Sequence, residues 1–128
     1  MSLCILVVDD SAVMRSMLIR TLRMSALPVS RVLQAESAAQ AMQRLEEFDV
    51  HVALIDLDMP GASGDELLDQ VRADARYSAL RVVMVIPEGA VPGSAAAAAL
   101  RGAIPLKKPF SPDQLRSTLL HLLGVVAA

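Results

Sequence analysis

Four charged side chains stand where three apolar runs end. Asp9 and Asp10 follow Ile5 to Val8, Asp56 follows Val52 to Ile55, and Lys108 comes shortly after Ile104 to Leu106. If these runs are parallel strands of one sheet, their carboxyl ends share an edge. Three carboxylates and one ammonium would then converge on the edge where open α/β sheets bind ligands. Carboxylates crowded in this way repel one another and partly protonate unless a cation sits among them. A hard divalent ion held by oxygen donors, Mg2+ above all, answers that need.

Such convergence requires strands and helices in alternation, and the chain alternates them throughout. Leu3 to Val8 is a continuous apolar run suited to a strand buried on both faces. The next segment places Met14, Met17, Leu18, Thr21 and Leu22 on one helical face, with Arg15, Arg20 and Arg23 elsewhere, and Pro28 closes the unit. Val29 to Ala35 is a weaker strand, and Ser37 caps a helix whose Ala38, Ala41, Met42 and Leu45 form a stripe. Val50 to Ile55 is the third strand. The loop from Leu57 to Gly64, with Pro60 and Gly61, turns into a helix from Asp65 to Ala73. Arg81 to Ile86 is the fourth strand, followed by a loop with Pro87, Gly89, Pro92 and Gly93 and an alanine-rich helix from Ser94 to Arg101. The fifth strand runs from Ala103 to Leu106. Ser111, Pro112 and Gln114 supply the cap, first-turn proline and capping box of a last helix bearing Leu115, Thr118, Leu119 and Leu122. Five βα units with nothing left over predict a single α/β domain over residues 1–128, built on a doubly wound parallel sheet.

Composition narrows the function classes. Hydrophobic residues make up 54% of the 128, but aromatics only 2%, so the core must be aliphatic. A net charge of −2 leaves no basic footprint for nucleic acid or an anionic membrane surface. The one cysteine, Cys4, lies in the first apolar run and reads as a buried small hydrophobe. His51 and His121 have no partners at metal-ligand spacing. No run has a transmembrane span's length, and the first apolar stretch is too short for a signal peptide, so a cytoplasmic protein is expected. Gly124 to Ala128 reads equally as a natural end or as the start of a linker.

ILVVDDS near the start, ALIDLDMPGASG in the middle and LKKPF near the end, in that order, resemble the receiver domain of two-component response regulators, the CheY-like family. The likeness spans essentially the whole chain. It implies a flavodoxin-like (βα)5 fold with strand order 2-1-3-4-5. By the same likeness Asp56 is the phosphoacceptor, charged by a histidine kinase or phosphotransfer protein. Asp9 and Asp10 hold Mg2+ together with Asp56 and the backbone carbonyl of Asp58. Lys108 pairs with the phosphoryl oxygens, its bond to Pro109 is cis as in many relatives, and Lys107 is a solvated neighbour. Asp58 and Glu88 stand at places where the family varies and tunes acyl phosphate lifetime. The resemblance also implies a donor docking near the first helix, and a downstream protein or effector domain not identified by the sequence. The alanine run Ala95 to Ala99 reads as tight packing or as a flat docking face, with a dimer through the fourth helix, fifth strand and fifth helix as one use of it.

Three positions depart from the family pattern. Where relatives carry a Ser or Thr hydroxyl at the end of the fourth strand, this chain has Ile86. The next residue, usually an N–H donor to the phosphoryl group, is Pro87, which has no N–H. Pro105 takes the place of the aromatic that rotates with the hydroxyl. Three readings therefore stay open: a Mg2+-dependent phosphoacceptor with an altered switch; an interaction module of the same fold whose partner binding ignores phosphate; and a haloacid-dehalogenase-like phosphatase, suggested by Asp56-Leu57-Asp58. The last suffers from chain order, since that family carries the motif on its opening strand with the other acids downstream. Only the third would be a turnover enzyme.

Overall fold

The computed structural model of the chain describes residues 2–124, so Val125 to Ala128 of the ambiguous terminal stretch lie outside the described residues. The elements run β1 (Leu3–Val8), α1 (Ala12–Met24), β2 (Val29–Ala35), α2 (Ala38–Glu47), β3 (Val52–Asp56), α3 (Gly64–Ala73), a 3-10 turn (Ala75–Tyr77), β4 (Arg81–Ile86), α4 (Ser94–Leu100), β5 (Ile104–Lys107) and α5 (Pro112–Leu122). All strand pairs are parallel and the order is β2-β1-β3-β4-β5. This is the flavodoxin-like arrangement.

Because side chains alternate along a strand, each central strand feeds two cores. Leu3, Ile5, Val7, Val52, Leu54, Val83 and Leu106 meet Leu18 and Leu22 of α1 and Leu115 and Leu119 of α5. Leu6, Val8, Ala53, Ile55, Val82, Met84 and Ile86 meet α2, α3 and Ala98 of α4 on the other face. Every residue of β1 is buried, as expected for a strand covered on both sides.

Local deviations from the sequence reading have physical reasons. On α1 only Leu18 and Leu22 are buried, whereas Met17 is 56% exposed. The helix leans on α5 through a narrower stripe than its apolar content suggests, leaving Met14, Met17 and Thr21 to line a groove with Pro109 and Phe110. β3 begins at Val52, not Val50, because His51 is turned to satisfy β1: its N–H donates to the Cys4 carbonyl (2.9 Å) and its Nδ1 accepts from the Cys4 N–H (2.9 Å). It ends one residue later than expected, with Asp56 itself in the ladder opposite Val85. β5 is likewise shifted by one residue, α3 starts at Gly64, and α4 stops at Leu100. Pro105 is accommodated because β5 is an edge strand. Ser111 and Gln114 form the expected capping box, and Cys4 is buried.

Candidate functional site

Strand periodicity brings the site together. Asp9 stands two residues beyond Val7, Asp56 two beyond Leu54 and Lys108 two beyond Leu106, and all three of those apolar residues belong to the core under α1 and α5. The alternation therefore carries three candidate site side chains to the same side of the sheet at its carboxyl edge. Carboxylate oxygens of Asp9, Asp10 and Asp56 come within 4.8 Å of one another. Lys108 Nζ lies 3.9 Å from Asp56 Oδ1.

Burial makes this cluster electrostatically expensive. Asp9 is 2% exposed and Asp56 6%, whereas Asp10 is exposed at the rim. Burial, followed by the charge of Asp9, pushes the Asp56 carboxyl up to about 6, against the pull of the Lys108 ammonium and the Asp58 backbone N–H. Burial also raises Asp9, offset in part by the Ser11 N–H bond to its Oδ1 (2.9 Å) and by Lys108. Asp9 Oδ2 and Asp56 Oδ1 are buried without a hydrogen-bond partner among the described residues. Orphaned anionic oxygens beside a third carboxylate are the donor set a hard divalent cation takes, so these residues fit Mg2+.

The surrounding loops hold this edge in place. Ser11 caps α1, its Oγ accepting from the Met14 N–H. The Lys108-Pro109 peptide is cis, and the Lys108 N–H donates to the Ile86 carbonyl (2.9 Å), tying β5 to the end of β4. Asp58 is exposed in the loop after β3. Lys107, the last residue of β5, is exposed. Ile86 turns into the core under α2, α3 and α4. Pro87 lines the grooves on both sides of the β4 to α4 loop, one shared with Leu57 and Asp58, the other with Lys107 and Lys108.

Two contributors were not singled out from sequence. Arg15 reaches back from α1 to donate to the Asp9 carbonyl (2.7 Å) and to Gln34 Oε1 (3.0 Å), pinning the β1 end from the β2 side. Its position one turn into the helix after the acidic pair was the available signal. Gly64, where α3 starts, packs so tightly that an added Cβ would lie 2.8 Å from Leu57 Cα and closer still to the Asp56 carbonyl oxygen. Its N–H donates to the Leu57 carbonyl (3.0 Å), closing the loop.

With this geometry in hand, the comparisons with known proteins are decisive about kinship. The family model described as a response regulator receiver domain matches residues 5–120. The chain belongs to the response regulator receiver family. This receiver is 36% identical over 124 residues to the chemotaxis protein CheY1 of Helicobacter pylori, covering 94% of this chain and 96% of that one. It is 37% identical to the CheY homologue of Campylobacter jejuni, covering 94% and 92%. Among solved structures it is similar to a putative response regulator from Chloroflexus aurantiacus, with a TM-score of 0.85, 26% identity and coverage of 97% and 99%. It is thus a CheY-like receiver of two-component signal transduction. Among the described residues no helix is long and apolar enough to cross a membrane.

Proposed function

We propose that this receiver accepts a phosphoryl group on Asp56 from a histidine kinase or phosphotransfer protein. The observation that carries the reading is a buried Asp56 whose Oδ1 is unpartnered, held 3.9 Å from Lys108 Nζ and beside two further carboxylates. A carboxylate oxygen of Asp56 attacks phosphorus. The bond from phosphorus to the donor's imidazole nitrogen breaks with its electron pair going to nitrogen, and an acyl phosphate forms. Asp9, Asp10, Asp56 and the backbone carbonyl of Asp58 would hold Mg2+. When bound, that ion neutralises charge on the transferring phosphoryl oxygens. Lys108 offers its ammonium to the same oxygens, and Arg15 and Gly64 keep the two strand ends from drifting.

In this reading the protein is an acceptor that promotes its own phosphorylation and dephosphorylation, not a turnover enzyme. We place the exchange in the cytoplasm, with no nucleic acid or membrane bound by this domain. The exposed Val13, Met17 and Met24, with the apolar groove beside Lys108, support a donor docking along α1. The downstream partner is another protein or effector domain, and the face of α4, β5 and α5 is where a second copy would pair.

Incubation with acetyl phosphate and Mg2+, followed by intact mass measurement, tests the assignment. A single phosphoryl adduct is expected on the parent and none on Asp56→Asn. A second reading is favoured by Ile86 and Pro87: a module whose partner binding is independent of phosphate. A hydrogen bond to a charged group contributes roughly 1.5–3 kcal/mol, so the two missing donors cost an acyl phosphate on the order of 3–6 kcal/mol unless water replaces them. Absence of the adduct on the parent would select that module. Steady turnover of small phosphoesters would select the phosphatase reading against both.

A further inference from the structure

With Ile86, Pro87 and Pro105 in place of a hydroxyl, an N–H and an aromatic ring, the question is how the acid pocket can reach α4. α4 itself is short and lightly capped. It has seven residues, no side-chain cap at Gly93, and Ala98 as its one buried residue. It follows a loop in which Gly89 and Gly93 both have positive φ. Beyond its packing on β4 and β5, it is tied at its carboxyl end to α3 by two arginines. Arg101 donates from Nη1 to the Asp65 carbonyl (3.2 Å) and Asp69 Oδ1 (2.8 Å), and from Nη2 to Asp65 Oδ1. Arg72 of α3 donates to the carbonyls of Arg101 (2.9 Å), Leu80 (3.1 Å) and Gly102 (3.3 Å).

Asp65 and Asp69 occupy the first turns of α3, directly after Gly64. Gly64 is the residue where even a Cβ would collide with the Asp56 carbonyl and Leu57 Cα, and its N–H donates to the Leu57 carbonyl (3.0 Å). A shift of the Asp56 to Asp58 backbone therefore has no slack to absorb it before α3 must follow. A planar guanidinium that bridges the Asp65 carbonyl, the Asp65 carboxylate and the Asp69 carboxylate holds them in one geometry, so movement of α3's first turn is passed to the helix capped by Arg101.

We infer that Arg101, gripping Asp65 and Asp69, couples the occupancy of the acid pocket to the position of α4 in place of the missing hydroxyl and aromatic pair. The inference rests on the phosphoacceptor reading of Asp56. Coupling of this kind is reciprocal, so loosening the grip also changes how readily the pocket is loaded.

The experiment loads the full chain with Mg2+ and beryllofluoride, a stable phosphoryl mimic, and follows hydrogen exchange of the amides of Ser94–Leu100. Loading is read separately from the carboxyl resonance of Asp56 by NMR. In the parent, loading changes exchange across α4 by about threefold or more. In Arg101→Gln, and independently in Asp69→Asn, loading still reaches saturation, at a shifted beryllofluoride concentration, but the α4 response shrinks toward none. Full retention of the response in both variants, or a parent that loads without any change in α4, overturns the coupling while leaving the acceptor reading intact. A parent that does not load overturns both.

Discussion

Replacing Asp56 by Asn isolates the electrostatic cost of the site. The rise of its carboxyl from 3.8 to about 6 arises chiefly from burial and from the charge of Asp9. That difference converts to about 3 kcal/mol of destabilisation borne by the ionised folded state. The sign follows from comparing folded and unfolded chains. Below about pH 4 the group is protonated in both, and no cost arises; above about pH 6 it is ionised in both, and the folded state bears the whole cost. The contribution of Asp56 to stability therefore falls as pH rises from about 4 to about 6, and Asp9, also raised, adds to the same slope. Asp74, held low mainly by its bonds to Arg76, contributes the opposite slope, so the informative quantity is the difference between parent and variant. Urea unfolding followed by far-ultraviolet circular dichroism should find Asp56→Asn more stable than the parent by about 2–3 kcal/mol at pH 7, and nearly equal to it at pH 4. Mg2+ should raise the parent's midpoint at pH 7, raise that of Asp56→Asn less, and do neither at pH 4, where protons occupy the ligands. An Asn variant no more stable than the parent at pH 7, with an unchanged pH profile, would refute the picture of a strained anionic cluster.

Four further perturbations address separate parts. Gly64→Ala drives a methyl into the Asp56 carbonyl and Leu57 backbone and should cost about 2 kcal/mol or more in urea unfolding. Lys108→Met removes the cation 3.9 Å from Asp56, so the Asp56 carboxyl should titrate above its parent value in a carboxyl NMR titration, and adduct formation should slow. Ile86→Thr combined with Pro87→Ala restores a hydroxyl and an N–H beside the phosphoryl position and should raise adduct yield from acetyl phosphate by about tenfold or more. His51→Ala leaves the Cys4 N–H without its acceptor and should lower stability by about 1 kcal/mol, read from the same urea curves.

What the sequence made legible follows from how local the signals are. Continuous apolar runs, the Ser caps at 37 and 111, and glycine-proline loops each specify an element within a few residues, so element order could be read directly; the caps at Ser11 and Ser63 emerge from the structure. The convergence of Asp9, Asp56 and Lys108 was legible because a two-residue period is fixed by the backbone. Other features depend on tertiary partners. Met17 looks like core on a helical wheel, yet the core under α1 takes Leu18 and Leu22 and leaves it 56% exposed. His51 looks idle in sequence and becomes a strand-edge acceptor because β1 lies beside it. Nothing local in the sequence marks Arg72 and Arg101, whose bonds form only once α3 and α4 lie side by side.

The charges and the switch positions bear differently on selection among readings. Asp9 and Asp56 destabilise the fold near neutral pH, burial outweighing the pull of Lys108, and two of their oxygens accept no hydrogen bond among the described residues. A module valued only for its surface would shed that burden with one neutral substitution, since carboxylates crowded in a buried site are costly to keep even with one lysine beside them. Ile86 and Pro105, by contrast, fit without strain: one is core beneath α2, α3 and α4, the other sits on an edge strand. The costly features thus lie where a ligand and a phosphoryl group would enter. The changed ones lie on the route by which their arrival would ordinarily be reported, where Arg101 supplies a second connection to the same helix.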